Sequence, residues 1–219
     1  HASYRRQRQM CIRDSLVDAT LDGIRVGDPP KMLGNEGSHA CYVWFENCEV
    51  PADSIVGGQE GRGLKAALRG INHARLHVAA TCVGQAIRLI TEMTEYASKR
   101  EQFGKRIGEF GQIAAMLADS RAEMAAGRAL CLDCAKQFDA GDQIPFIDIA
   151  SAKLFCSEMV SRVADRAVQV MGGLGYMEDL SDVPRLFRDV RLFRIFEGAS
   201  QVQQGNIARS MMKDNESLS

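Results

Sequence analysis

After Gly61-Arg62-Gly63 the chain runs from Leu64 to about Lys99 with almost nothing that stops a helix. Only Gly70 and Gly84 interrupt a stretch dominated by helix formers, which predicts one long helix. Two comparable stretches follow. One spans about Phe110 to Phe138 and ends at Gly141. The other begins near Pro145, which the first turn of a helix accepts, and runs to Met171 before Gly172-Gly173. In it Ile149, Ala152, Cys156, Met159, Val163, Ala167 and Val170 recur at three- and four-residue steps, the apolar stripe of an amphipathic helix. Further helices are expected over about Val183 to Ile195 and Ala199 to Met212. Long helices joined by short turns pack antiparallel, so the reading is mainly α, an up-and-down bundle.

Upstream the character differs. From Leu16 to about Leu64 short apolar runs alternate with Gly, Pro and Asn, as in Gly27-Asp-Pro-Pro30 and Gly34-Asn-Glu-Gly37. Cys41-Tyr-Val-Trp-Phe45 has the β-branched and aromatic content of a strand. This part reads as several strands of an antiparallel sheet. It is too short to close a covered barrel, so a piece of a larger β-domain is expected to precede the bundle. Residues 1 to about 15 are basic, lack an apolar period, and read as a segment foreign to the rest; a natural basic arm is the alternative. The chain begins with His1, so targeting is not judged from it.

The length of 219 residues fits one large domain or two small ones. A net charge of −1 gives no basic surface for a nucleic acid. No apolar run approaches the length that spans a bilayer, so membrane association is not indicated. Seven cysteines, an odd number scattered through helical patterns, read as reduced core residues in a reducing compartment. Cys131 and Cys134 form a lone Cys-x-x-Cys within an expected helix, and core-facing thiols are the better reading than a metal or redox site. His73 and His77 are four apart with no third ligand at fitting spacing, so a helix-surface pair is expected and no metal.

One carboxylate stands out. Glu197 lies between an aromatic and a glycine in Arg194-Ile-Phe-Glu-Gly198, after Leu192, Phe193, Ile195 and Phe196. Apolar surroundings disfavour the charged carboxylate and make it a stronger base, which suits removal of a proton from a weakly acidic C–H. Gly198 has no Cβ and would let backbone or ligand come close. Taken alone, a helix-terminal Glu in a solvated turn is the ordinary reading.

The wider pattern changes that. Gln169-Val-Met-Gly-Gly-Leu-Gly-Tyr176, Arg188-Asp-Val-Arg191 and Phe196-Glu-Gly-Ala-Ser-Gln201 resemble, in order and spacing, the C-terminal region of the flavin-dependent acyl-CoA dehydrogenases. Lys99-Arg-Glu-Gln-Phe-Gly-Lys105 with Gly108-Glu-Phe-Gly-Gln-Ile113 is similar to the family's other signature. Phe45-Glu-Asn-Cys-Glu-Val-Pro-Ala-Asp-Ser-Ile-Val-Gly57 resembles the end of its central β-domain. The resemblance covers about Leu16 to Arg209, and its texture is closest to the very-long-chain branch. It implies that 16–62 closes the β-domain and that 63–214 is the helical-bundle domain.

The resemblance implies FAD-dependent α,β-dehydrogenation of an acyl-CoA thioester to the trans-2-enoyl-CoA. Glu197 would take the pro-R α-proton while the β-hydride passes to flavin N5. The base's own N–H and a flavin ribityl hydroxyl would stabilise the developing enolate. Some relatives place the base just before the Arg matching Arg75; here that position is Ala74, which cannot act as one. Asn72, Arg75 and Gly198 fall at substrate positions; the ordinary alternative for Arg75 is a solvent-facing side chain. Arg100, Gln102 and Phe103 match positions that reach the FAD of the neighbouring subunit, where a guanidinium suits a pyrophosphate. Phe110 and Gly111 match the next cofactor contact, and Gln169, Gly172 and Gly173 the adenine end. Ala199 departs from the Thr of many relatives at the flavin, and Gln201 keeps the polar contact that follows.

Implied partners are the acyl-CoA, electron transfer flavoprotein as electron acceptor, and further copies in a homodimer or dimer of dimers. The implied location is the mitochondrial matrix or bacterial cytoplasm. An acyl-CoA oxidase differs only in reoxidation by oxygen, and nothing in the sequence decides against it. A nitroalkane-oxidase-like enzyme would carry Asp where Glu197 stands. A non-catalytic helical oligomerisation module would tolerate loss of Glu197, Arg100 and Gln169, whose joint presence speaks against it. Without the family's N-terminal helical domain and much of its β-domain, the chain alone is expected to be inactive.

Overall fold

The long breaker-free stretch forms α1, Gly63–Lys99, 37 residues and roughly 55 Å at 1.5 Å per residue. In this computed structural model the described residues are 15–38, 40–59, 61, 63–140 and 146–216. The expected foreign segment before residue 15, the stop at Gly141 and the start at Pro145 lie outside them. Beyond α1 come α2 (Gly111–Asp139), α3 (Phe146–Met171), α4 (Val183–Val190) and α5 (Ser200–Glu216). The chain divides into two compact units within α1. One holds the described residues to Met32 and Glu36–His73, the other Leu33–Asn35 and Ala74 onward.

In the second unit α3 is the central element, packed against α2, α4 and α5. The seven apolar positions of its expected stripe are all buried. α1 supplies Val78, Ala79, Cys82, Val83, Ala86, Leu89, Met93 and Ala97 to the same apolar cluster, again at helical spacing. Gly127 of α2 lets α3 approach closely: a Cβ there would stand 3.1 Å from Cys156 Sγ and 3.3 Å from Met159 Cε. Leu33–Asn35 belongs with this unit because Asn35 Nδ2 donates to the Asp189 carbonyl at 3.0 Å and Arg188 Nε to that of Leu33 at 3.1 Å.

Two details depart from the sequence reading. α4 was expected to reach Ile195 but ends at Val190, and the chain tightens into a 3-10 turn over Arg191–Arg194. The tighter turn brings Phe193 into the core, stacked on Phe196 with ring centroids 5.6 Å apart. An unexpected hairpin joins α1 to α2: β3 (Glu101–Gln102) pairs antiparallel with β4 (Lys105–Arg106) through Phe103 and Gly104. Both turn residues have positive φ, +53° and +80°, as a two-residue hairpin turn of type I′ requires.

In the first unit the expected strands reduce to β1 (Ile24–Val26) paired antiparallel with β2 (Val43–Phe45), plus a bridge between Ser15 and Ile55. All three β2 residues are exposed. Among the described residues the ribbon has two strands, and a lone two-stranded ribbon buries little apolar surface. Arg25 lies over the Trp44 ring, 3.7 Å from its centroid.

Candidate active site

After Phe196 the backbone leaves helical space: φ is +52° at Glu197 and +90° at Gly198. Glycine adopts this region freely, but a residue with a Cβ pays about 1–2 kcal/mol to do so. Such a conformation persists only where neighbours over-determine it.

Three buried side chains do so. Arg75 Nε of α1 donates to the Glu197 carbonyl at 3.1 Å. Gln203 Nε2 of α5 donates to the Glu197 carbonyl at 3.1 Å and to that of Gly198 at 3.3 Å. Lys153 Nζ of α3 donates to the Gly198 carbonyl at 2.8 Å. On either side Glu158 of α3 accepts from Arg194 Nε at 3.0 Å and from the Ser200 hydroxyl at 2.6 Å. Both carbonyls of the turn are thus taken up, while no acceptor among the described residues meets the Glu197 N–H.

Burial lowers the pKa of the Arg75 guanidinium, opposed by the negative charge of Glu197. Burial also lowers Lys153, offset in part by Cys82, Glu158 and Glu197, with Arg75 acting in the same direction as burial. Burial alone would raise the Glu158 carboxyl, but the Ser200 hydroxyl and Arg194 outweigh it and hold it below the usual range.

At Gly198 the chain's own side chains come close. A Cβ there would collide with Gln203 Nε2 and stand 3.4 Å from Arg75. Glycine is needed first for the chain's own packing. Arg75 is not the solvent-facing side chain of its ordinary alternative but is buried beside the turn. Asn72 lies one turn earlier on α1, half-buried. Ala199 caps α5, its carbonyl accepting from Val202 and Gln203. Gln201 is exposed on the first turn of α5.

A second cluster assembles elsewhere in this unit. Arg100, Gln102, Phe103, Phe110, Gly172 and Gly173, drawn from separate motifs, line one cleft of about 370 Å³. The Phe103 ring is 93% exposed and meets Phe110 edge-on at 6.3 Å. Gly172, at φ +57°, ends α3 with open space where a side chain would stand, as does Gly111 beside Phe110. Gln169 is exposed one turn before Gly172. A guanidinium, an amide, two aromatic rings and bare backbone are the donor set and surfaces that a dinucleotide's phosphates and rings require, so FAD fits this lining.

Another cavity, about 750 Å³, is lined by five arginines, four of which have carboxylate partners: Arg162 and Arg166 on Glu123, Arg188 on Glu178, Arg194 on Glu158. His73 and His77 are exposed on α1, and no group of three possible metal ligands occurs among the described residues. Cys131 and Cys134 are buried, with the Cys131 and Cys156 sulfurs 3.7 Å apart. Among the described residues no helix is long and apolar enough to cross a membrane.

Lys153, Glu158, Ser200 and Gln203 were not singled out from the sequence. Lys153 had a signal: it falls on the apolar stripe, between Ile149 and Cys156 at helical steps.

The family model of the acyl-CoA dehydrogenase C-terminal domain matches residues 61–212, and the chain belongs to the acyl-CoA dehydrogenase family. It is 35% identical to the mouse mitochondrial very long-chain specific acyl-CoA dehydrogenase over 187 residues, 85% of this chain and 28% of the relative. It is 34% identical to cyclohexane-1-carbonyl-CoA dehydrogenase of Geobacter metallireducens, over 91% of this chain and 52% of that one. The structure resembles butyryl-CoA dehydrogenase from Megasphaera elsdenii with a TM-score of 0.86 at 31% identity, covering 91% of this chain and 51% of that one. The chain therefore spans about half the length, or less, of the relatives it matches.

Proposed function

We propose that this chain is the catalytic C-terminal part of an FAD-dependent acyl-CoA dehydrogenase, its 16–62 segment closing a β-domain and 63–214 forming the bundle domain. The substrate is a saturated acyl-CoA thioester, oxidised between its α and β carbons to the trans-2-enoyl-CoA. Glu197 takes the α-proton. Its N–H, which meets no acceptor among the described residues, is available to the thioester oxygen as negative charge develops there. Arg75, Lys153 and Gln203 hold the two carbonyls so that carboxylate and N–H keep one orientation. Bound FAD supplies the two-electron acceptor for the β-hydride.

Arg100 and Gln102 would hold phosphate oxygens, Phe103 and Phe110 a ring face, and Gly111, Gln169, Gly172 and Gly173 the adenine end of the cofactor, with Ala199 and Gln201 facing the flavin. The two clusters share no lining residue, which supports an assembly in which one copy serves its partner's cofactor, as the resemblance implies. We extend the proposal to a homodimer or dimer of dimers, to electron transfer flavoprotein as acceptor, and to the mitochondrial matrix or bacterial cytoplasm.

The observation that carries the reading is the Glu197–Gly198 turn, left-handed backbone whose two carbonyls accept from three buried side chains. The test is Glu197→Gln in a polypeptide of the relatives' full length that carries this chain. The amide keeps the shape and loses the base. FAD should be retained while flavin bleaching by a saturated acyl-CoA slows by about 10²–10⁴-fold. Bleaching at the wild-type rate would remove Glu197 as the base.

A further inference from the structure

We infer that Lys153 is a positioning residue for the Glu197 base, acting through its hydrogen bond to the Gly198 carbonyl. This rests on the reading of Glu197 as base. Lys153 sits on the buried stripe of α3, with Ile149, Ala152 and Cys156 buried around it, and is itself 0% exposed. Lysine is almost never fully buried without a partner, because taking an ammonium out of water is costly. An aliphatic side chain of similar length would fill the same space without that cost. What the ammonium adds is one charge-assisted bond, Nζ to Gly198 O at 2.8 Å, spanning 45 positions of the chain.

The location of that bond decides its use. Gly198 follows the base directly, has no Cβ, and lies at φ +90°, so its peptide has the widest conformational choice in the turn. The Glu197 carbonyl already has two donors, Arg75 and Gln203. Gly198 has Lys153 at 2.8 Å and a longer bond, 3.3 Å, to the shared Gln203 amide. Removing Lys153 leaves that weaker bond alone to set the Gly198–Ala199 peptide, the second after the base. The carboxylate then loses its fixed direction while α3, α5 and the cofactor cleft keep their packing. A displacement near 1 Å at a reacting group costs on the order of 10²-fold in rate.

The test compares Lys153→Met, Lys153→Gln and Lys153→Arg in full-length, FAD-loaded enzyme carrying this chain. The substrate is octanoyl-CoA or palmitoyl-CoA, whichever reduces the wild type faster, with ordinary and α-deuterated acyl chains. Single-turnover flavin reduction is followed at saturating substrate, with acyl-CoA affinity and FAD content measured separately. Lys153→Met should keep FAD and bind acyl-CoA within about threefold of wild type. Its reduction rate should fall by about 10²-fold with a larger α-deuterium isotope effect, because proton abstraction has become harder. Lys153→Arg, which keeps a charged donor, should recover at least about a tenth of the wild-type rate.

A FAD-loaded Lys153→Met or Lys153→Gln with wild-type rate and isotope effect would overturn the proposal. So would failure of both variants to yield FAD-loaded protein, which would make the role structural. Glu197→Gln made alongside separates the two readings: wild-type reduction there sinks the base assignment, whatever the Lys153 variants do.

Discussion

Arg75 Nε donates to the backbone carbonyl of Glu197 at 3.1 Å, joining α1 to the turn before α5 across 122 positions of the chain. The guanidinium is 7% exposed and also lies 5.1 Å from the centre of the Phe146 ring. Its planar fork lets it serve a carbonyl and lie over a ring at once, which an ammonium does less well. Arg75→Met should therefore lower the stability of the chain by about 1.5–3 kcal/mol, the range for a hydrogen bond to a charged group. Arg75→Lys should recover less than half of it. Urea unfolding followed by circular dichroism checks both; a full recovery by Lys would show that charge alone matters at this position.

Acid should loosen the same turn from its other side. Glu158 is held below the usual carboxylate range, so its contribution is fully present above the unfolded-state value of about 4.3. It is lost as pH falls through the lowered folded value, because protonation removes the acceptor that Arg194 and Ser200 share. Glu123, held down by Arg162 and Arg166 against the effect of burial, behaves alike. Glu158→Gln should flatten the loss of thermal stability between about pH 5 and pH 3 relative to wild type. Parallel melting curves against pH in the two proteins would show instead that Glu158 has no part in acid unfolding.

The start of α5 leaves stability unclaimed. Ala199 caps the helix without a side-chain acceptor, and alanine is among the poorest residues there. Ala199→Thr should raise stability by about 1 kcal/mol, read as a higher urea midpoint with an unchanged slope. A lowered midpoint would mean that the half-buried site has no room for the extra atoms.

The helices were legible because their apolar positions repeat locally: the α3 stripe from Ile149 to Val170 is written in consecutive turns, and every member is buried. The gathering of Arg100, Phe110 and Gly172 into one cleft was legible through ordered motifs rather than through any single residue; Gly172 alone is only a helix end. What holds Glu197 was not legible. Lys153, Glu158 and Gln203 meet the turn only after α3 and α5 have packed, over sequence separations that carry no periodic signal. The β3–β4 hairpin escaped for the opposite reason. Its strands are two exposed, polar residues each, and its only mark is Phe103-Gly104, whose phenylalanine adopts a φ that aromatic residues seldom do. That strain places the Phe103 ring almost wholly in solvent, at the mouth of the cleft.

Arg100, on the same hairpin junction, gives the sharpest separation between cofactor retention and chemistry. Its side chain is exposed, it lines the cleft with Gln102 and Phe103, and it belongs to a cluster distinct from the Glu197 turn. Arg100→Ala should leave the stability of the chain within about 0.5 kcal/mol, the ordinary result for an exposed substitution. In full-length enzyme it should weaken FAD binding by tenfold or more, since a charged hydrogen bond to phosphate contributes about 1.5–3 kcal/mol. With FAD saturating, single-turnover flavin reduction should stay within about twofold of wild type, because nothing that holds Glu197 has been touched. Equilibrium FAD titration and stopped-flow reduction measure the two independently. An unchanged dissociation constant would return Arg100 to a solvent-facing role, and a slowed reduction at saturating FAD would show that the two clusters are coupled.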